Sequence, residues 1–341
     1  MQNKSIKSAR SGRILLWGAI VFFFTVVWFR FFSPNSKCPI PADVRSDLFV
    51  DRCLEYLIRE EHKISGEITK EKLAQIRTIG LHKSRLTNHK KWQEKKISQL
   101  NGIEHLTNLK FINLDRNKIE DITPLKNLKN LVSINLGNNK IEDISPLSAI
   151  ISLEMLTLND NKISNLAPLK NLKNLKELNL WDNQISDISY LQNLKNIQTL
   201  NLWNNNIVNI SPIENLINLK DLDLDKNQIS DISPLTNLTQ LEKLMLHDNQ
   251  ISNISYLSNL TNLKELGLYK NDIADISPLA NLTKIEKLSL ARNNITDTSP
   301  LTNLTNLERL SLEDNHIKDF KAIKNLPKLT KCFGCTPGEQ R

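Results

Sequence analysis

Leu175-Lys176-Glu177-Leu178-Asn179-Leu180-Trp181-Asp182-Asn183-Gln184-Ile185 decides how this chain folds, because its leucine and asparagine spacing returns every 22 residues. The asparagine recurs at Asn117, Asn139, Asn161, Asn183, Asn205, Asn227, Asn249, Asn271, Asn293 and Asn315, and two residues after each stands an isoleucine, from Ile119 to Ile317. A fixed period of this length marks an architecture in which each repeat is one supersecondary unit stacked on its neighbours. The alternation Leu178-x-Leu180 turns two side chains to one face of a short strand. The asparagine amide has the donors and acceptor to bond backbone groups of the turn in its own coil and the adjacent one, groups that burial otherwise leaves unpaired. The chain then returns through Ile-x-Asp-Ile-Ser-Pro-Leu-x-Asn-Leu, complete at 229–238. Proline bars strand pairing there, and the apolar spacing suits a short 3₁₀ turn.

One such coil buries too few apolar side chains to offset the entropy of ordering its backbone, so a single repeat is predicted to be unfolded. Stacked at about 4.8 Å per strand, ten or eleven coils give a curved solenoid roughly 50 Å long with a parallel sheet on its concave side.

The repeat resembles the leucine-rich repeat, and within it the internalin type of bacterial repeat. The features that carry this are the return Asp-Ile-Ser-Pro-Leu-x-Asn-Leu and an amphipathic stretch followed by Gly66-Glu67-Ile68-Thr69, like an internalin N-terminal cap; together the likeness covers roughly residues 43–329. It implies an α/β leucine-rich repeat solenoid: a concave parallel sheet, 3₁₀ or irregular turns on the convex side, and a helical cap, here preceded by one transmembrane helix. It also implies a non-catalytic recognition module whose concave face binds a protein, among them host or cell-surface proteins, or a surface glycan. The 22-residue repeats of phosphatase-regulating proteins are the next most similar, and they imply an intracellular regulatory scaffold instead. No immunoglobulin-like cap or wall-sorting motif precedes Arg341, so wall attachment is not expected.

The net charge of +8 is unevenly placed: residues 1–37 carry Lys4, Lys7, Arg10, Arg13, Arg30 and Lys37 with no acid, and the remainder sets 39 basic against 37 acidic residues. The repeats therefore have no footprint for nucleic acid. Residues 14–32, ILLWGAIVFFFTVVWFRFF, span about 28 Å as a helix, close to the thickness of a bilayer core. The charges ahead of them predict a single-pass anchor with a cytoplasmic N-terminus and the repeats in the periplasm or extracellular space. A cleaved secretory signal is the alternative. The expected organisation is a basic tail at 1–13, the signal-anchor at 14–32, a linker at 33–41, a helical cap at 42–75, the solenoid at 76–329 and a tail at 330–341.

Within the cap, Asp43 or Ser46 is predicted to start a helix bearing Leu48, Val50, Leu54, Leu57 and Ile58, with Ser65-Gly66 ending it. The interval from Ile79 to Ile112 is 33 residues, longer than one period. The surplus coincides with a basic loop at 82–96, either merely solvated or in contact with anionic lipid or a partner. Cys38 and Cys53 are placed to pair in an oxidising compartment. Alternation puts Cys332 inward and Cys335 outward, which favours a buried sulfur and an exposed thiol over a local disulfide.

Neither the six histidines nor the scarce glycines form a metal or phosphate motif, so no cofactor, no metal and no enzyme activity are expected. Binding is expected in the column that follows the third leucine of each repeat: Asp115, Gly137, Asn159, Trp181, Trp203, Asp225, His247, Tyr269, Ala291 and Glu313. Exposed Trp181, Trp203, His247 and Tyr269 are the candidate contact residues. Glu177, Asp182, Asp221, Asp223 and Asp225 around them would complement a basic patch on the partner. The competing reading has the two tryptophans stack only on each other.

Overall fold

The computed structural model of the protein describes residues 38, 40, 43–80 and 96–336. Strands of three residues alternate so that the middle side chain turns inward and its neighbours outward. The inward leucines and isoleucines of all coils merge into one continuous core, with Leu178, Leu180, Leu200 and Leu222 all but inaccessible.

Among the described residues twelve strands follow one another in a single parallel sheet, in chain order. They are β1 (Thr78–Ile79), β2 (Phe111–Asn113), β3 (Ser133–Asn135), β4 (Met155–Thr157), β5 (Glu177–Asn179), β6 (Thr199–Asn201), β7 (Asp221–Asp223), β8 (Lys243–Met245), β9 (Glu265–Gly267), β10 (Lys287–Ser289), β11 (Arg309–Ser311) and β12 (Lys331–Phe333). From β2 onward each strand residue pairs with the one 22 positions on, as Leu178 does with Leu200. The long first interval is also bridged in register, Ile79 opposite Ile112. On the return side the Ser-Pro segments form 3₁₀ turns such as Ser233–Leu235, with Asp231 Oδ1 accepting from the Ser233 N–H at 2.8 Å.

The asparagine side chains run along the turn that follows the sheet. Asn205 Nδ2 donates to Leu180 O (3.1 Å) in the preceding coil and to Leu202 O (3.0 Å) and Trp203 O (3.3 Å) in its own, while its Oδ1 accepts from Ile185 N at 3.0 Å. The same pattern recurs from Asn139 to Asn315. The residue before each asparagine is left-handed, for example Asp182 (φ 57°), Asn204 (φ 53°) and Lys226 (φ 48°), and this bend ends the concave surface.

The cap differs from expectation in its boundaries. Its helix, α1, spans Arg52–His62 and is capped by Asp51, whose carboxylate accepts from Cys53 N and Leu54 N, not by Asp43 or Ser46. Asp51 prevails because its other oxygen accepts from Ser98 N and Ser98 Oγ, fixing the helix start to the first coil. Ser46 instead donates its N–H to Glu55 Oε1. The helix ends at left-handed Lys63 rather than at Ser65-Gly66. A buried ion pair, Arg59 to Glu55 at 2.9 Å, holds the cap, with the Arg59 guanidinium also donating to the carbonyls of Gly66 and Val44. A second short helix, α2 (Lys70–Leu73), leads into β1.

The cysteines require a further correction. Cys38 bonds Cys53, with Cα atoms 5.1 Å apart, and Cys332 bonds Cys335, at 5.9 Å. The expected buried sulfur and exposed thiol at the C-terminal pair are thus overturned. Strand alternation stops at Phe333, and the left-handed Gly334 (φ 71°), packed on the backbone of Leu312 and Glu313, turns the chain so that the two sulfurs meet.

The apolar span at 14–32 and all of the basic loop except Lys96 lie outside the described residues. Among the described residues no helix is long and apolar enough to cross a membrane. That finding corrects the placement as a single-pass membrane protein with a cytoplasmic N-terminus, and the two disulfides suit an extracellular domain.

Candidate functional site

Each coil presents three side chains to the concave side: the first and third residues of the strand, and the residue just before the left-handed bend. For the coil of β7 these are Asp221, Asp223 and Asp225, with Leu222 and Leu224 turned into the core. The third column changes character from coil to coil, as the leucines and asparagines do not.

Trp181 and Trp203 meet in that column with ring centroids 5.3 Å apart and planes inclined at 54°. They are half-buried rather than exposed, and Lys226 Nζ lies 5.0 Å from the Trp203 ring, a cation–π contact. The rings therefore touch one another and each keeps part of its surface accessible. A second aromatic pair stands two coils further on. His247 and Tyr269 are 6.0 Å apart edge to face, and Arg292 lies 5.5 Å from the Tyr269 ring.

Asp225 separates the two pairs. Its Oδ1 accepts the His247 N–H at 2.5 Å, and His247 Nδ1 in turn accepts the Tyr269 N–H at 2.9 Å, which places the imidazole proton on Nε2 when the ring is neutral. Burial, reinforced by the charge of Asp223, pushes the Asp225 carboxyl up to about 7, against the pull of the His247 N–H. Burial also raises Asp223 and lowers His247. The bare glycine of β9 accommodates this arrangement, since a Cβ on Gly267 would come within 2.5 Å of the His247 ring.

The acidic candidates do not act as one patch. Glu177 is exposed on β5, and with Thr199, Asn201, Asp221, Asp223 and Lys243 it lines a depression of about 180 Å³. Asp182 sits at the bend, where its Oδ1 accepts from Asn204 Nδ2 at 2.6 Å, so it belongs to the turn rather than to the floor. Asp221 pairs with Lys243 at 3.8 Å, and burial raises its carboxyl against that pairing. The charge of Lys243 acts on both Asp223 and Asp225, and that of Lys226 on Asp225, against the burial that raises the two carboxyls. A larger depression of about 390 Å³ lies on the return side around Val208, Glu214 and Asp231, without aromatic side chains.

Sequence reasoning passed over a second asparagine column at the approach to the strands. Asn130, Asn174, Asn196, Asn218, Asn262 and Asn306 each donate to a carbonyl of the preceding coil, Asn196 to Lys173 O at 2.8 Å. Its signal was present but broken, since asparagine recurs at the same 22-residue period in Leu-x-Asn-Leu or Leu-x-Asn-Ile and gives way to Ser152, Gln240 and Lys284. Lys243, Lys226 and Arg292 were also missed, because their roles depend on neighbours one coil away.

With this geometry established, comparison with known proteins is specific. The family described as leucine-rich repeat region matches residues 130–332, and the one described as leucine rich repeats in two copies matches 107–149. No curated protein matches. The chain is similar to the crystal structure of an internalin, InlF, from Listeria monocytogenes, at 33% identity over 84% of this chain and 95% of that one, with a TM-score of 0.58. It is similar to internalin C2 of the same organism at 29% identity, over 78% and 94% of the two chains, with a TM-score of 0.50. It is also similar, at 25% identity and a TM-score of 0.61, to the plant peptide hormone receptor RGFR1 in complex with RGF2, over 67% of this chain and 40% of that one.

Proposed function

The chain belongs to the internalin-like leucine-rich repeat proteins, and from that premise we propose that it takes a protein partner on its concave face, anchored by Trp181 and Trp203. Leucine-rich repeat domains are protein-interaction scaffolds and typically carry no catalysis. The observation that carries the reading is the tilted tryptophan pair in a column where no packing rule calls for aromatics. Large rings held in place by a neighbour lose little entropy on binding, and tryptophan is prominent among interface hot spots. Asp223, one coil further on, and Asp225 once it has lost its proton supply charge that a basic side chain of the partner would meet. The plant peptide hormone receptor, solved in complex with RGF2, supports the proposal by analogy of fold. The intracellular scaffold reading gains no support from a chain with two disulfides.

The test is a protein ligand isolated from a surface-protein library and measured against Trp181→Ala with Trp203→Ala. The double substitution is expected to cost at least about 2 kcal/mol of binding while the unfolding transition stays cooperative. Undiminished affinity, or loss of the fold along with the affinity, contradicts the assignment.

A further inference from the structure

The concave floor carries an asparagine column of its own. Asn113, Asn135, Asn179 and Asn201, half-buried at the last position of their strands, accept through Oδ1 the backbone N–H two residues on, that of Trp181 at 3.3 Å and that of Trp203 at 3.0 Å. A backbone N–H only donates, so the amide orientation is settled, and Nδ2 of Asn179 and of Asn201 is left accessible without a partner among the described residues. Asp223 takes the same place one coil on, accepting the Asp225 N–H at 3.1 Å. With these lie the hydroxyls of Thr157 and Thr199 and the carboxyls of Glu177 and Asp221, lining the depression of about 180 Å³ that crosses β4 to β7 and ends at Lys243 on β8. Trp181 and Trp203 stand on the same side of the sheet, two residues beyond Asn179 and Asn201.

This lining supplies donors and acceptors at each coil, while its leucines, Leu156 and Leu178, are all but inaccessible. An extended peptide fits it poorly: such a ligand is read through pockets for alternate side chains, and those recur about every 6.6 Å against a strand spacing of about 4.8 Å. A pyranose unit of a linear glycan advances by close to one strand spacing, its hydroxyls both donate and accept, and its apolar C–H face packs on an indole. Charge narrows the class further. The lining sets three carboxyls against Lys243, and burial already raises Asp221 and Asp223 despite that lysine, so an acidic sugar would add negative charge where it is least tolerated. Resting on the concave-face reading above, we infer that the partner is recognised through a linear, uncharged oligosaccharide that it carries, lying across β4 to β7 with one sugar over each coil and flanked by Trp181 and Trp203.

The experiment titrates the full chain with soluble fragments of cellulose, of chitin and of polygalacturonate, each in increasing length. Binding is expected for an uncharged series, strengthening with each added sugar until the depression is filled, with the polygalacturonate series about tenfold weaker or more. Asn179→Ala with Asn201→Ala is expected to weaken the bound series about tenfold. Thr199→Arg, which fills the depression and leaves the asparagines and tryptophans in place, is expected to abolish it, with circular dichroism unchanged in both variants. Enzymatic removal of glycans from a protein ligand is expected to weaken that ligand as much as Thr199→Arg does. A protein ligand that requires Trp181 and Trp203 but keeps its affinity after glycan removal and on Thr199→Arg overturns this inference and leaves the concave-face reading standing. Sugars that bind both variants as tightly as the parent, show no gain with length, or bind best as polygalacturonate also overturn it. Sugar binding lost in both variants, beside a protein ligand indifferent to the tryptophans, removes the protein reading and keeps the floor as a sugar site.

Discussion

The turn ridge and the concave floor are built by the same 22-residue period, yet they treat it in opposite ways. On the ridge the period fixes identity: Asn205 and its equivalents each satisfy backbone groups in two coils, and no other side chain of that size offers both donors and an acceptor there. On the floor the period fixes only position, so neighbouring coils place Trp203, Asp225, His247 and Tyr269 in one column. The constant position holds the stack together, and the variable position is the one proposed for binding.

The strongest way to break this contrast is Asn205→Ala. It leaves three carbonyls and the Ile185 N–H short of a partner, and a loss of about 1–3 kcal/mol is expected in urea unfolding. An unchanged midpoint means that the ridge is not structural. A smaller loss, about 0.5–1.5 kcal/mol, is expected for Asn196→Ala in the second asparagine column, whose bond to Lys173 O is exposed. A loss equal to that of Asn205→Ala shows the two columns to be equivalent.

Asp225 sharpens the contrast from the floor. Its carboxyl keeps its proton up to about pH 7 in the fold, whereas an unfolded aspartate loses it near pH 3.9. The folded state thus binds more protons between those values, and the stability Asp225 contributes is fully present below the unfolded value and is lost as pH rises through about 7. His247 acts in the opposite sense just below its ordinary value, since burial lowers it. Asp225→Asn leaves the His247 contribution in place and is expected to gain on the parent from pH 4 to 8, read as the difference in unfolding midpoints. A difference that does not change with pH contradicts the burial of that carboxyl. The smallest effect is expected on the return side: replacing Lys170, Lys195 and Lys220 with alanine should leave both binding and the unfolding midpoint nearly unchanged.

The repeat, the sheet and its register were legible in the sequence because every one of them is a consequence of period. The exception is the first interval, where Ile79 pairs with Ile112 across 33 residues instead of 22. Features that depend on a single local choice were not legible. Asp43, Ser46 and Asp51 are all competent helix caps, and only the contact of Asp51 with Ser98, 47 residues away, distinguishes them. Cys332 and Cys335 were assigned opposite faces by a strand rule that lapses one residue later, at Gly334. On the floor, the column of Trp181 and Trp203 could be named from spacing, but not their tilt, their half-burial or the ammonium of Lys226 beside them, which arise from side chains meeting across coils.

The central claim, that the ridge holds the fold and the floor holds the ligand, is tested most directly by measuring unfolding midpoint and ligand affinity together for two variants. The predicted result is a double separation. Asn205→Ala lowers the midpoint and keeps the parent affinity at denaturant concentrations where it is folded, whereas Trp181→Ala with Trp203→Ala keeps a cooperative midpoint close to the parent and weakens binding about thirtyfold, the equivalent of about 2 kcal/mol. If the two properties fall together in both variants, ridge and floor are not distinct and the account is wrong.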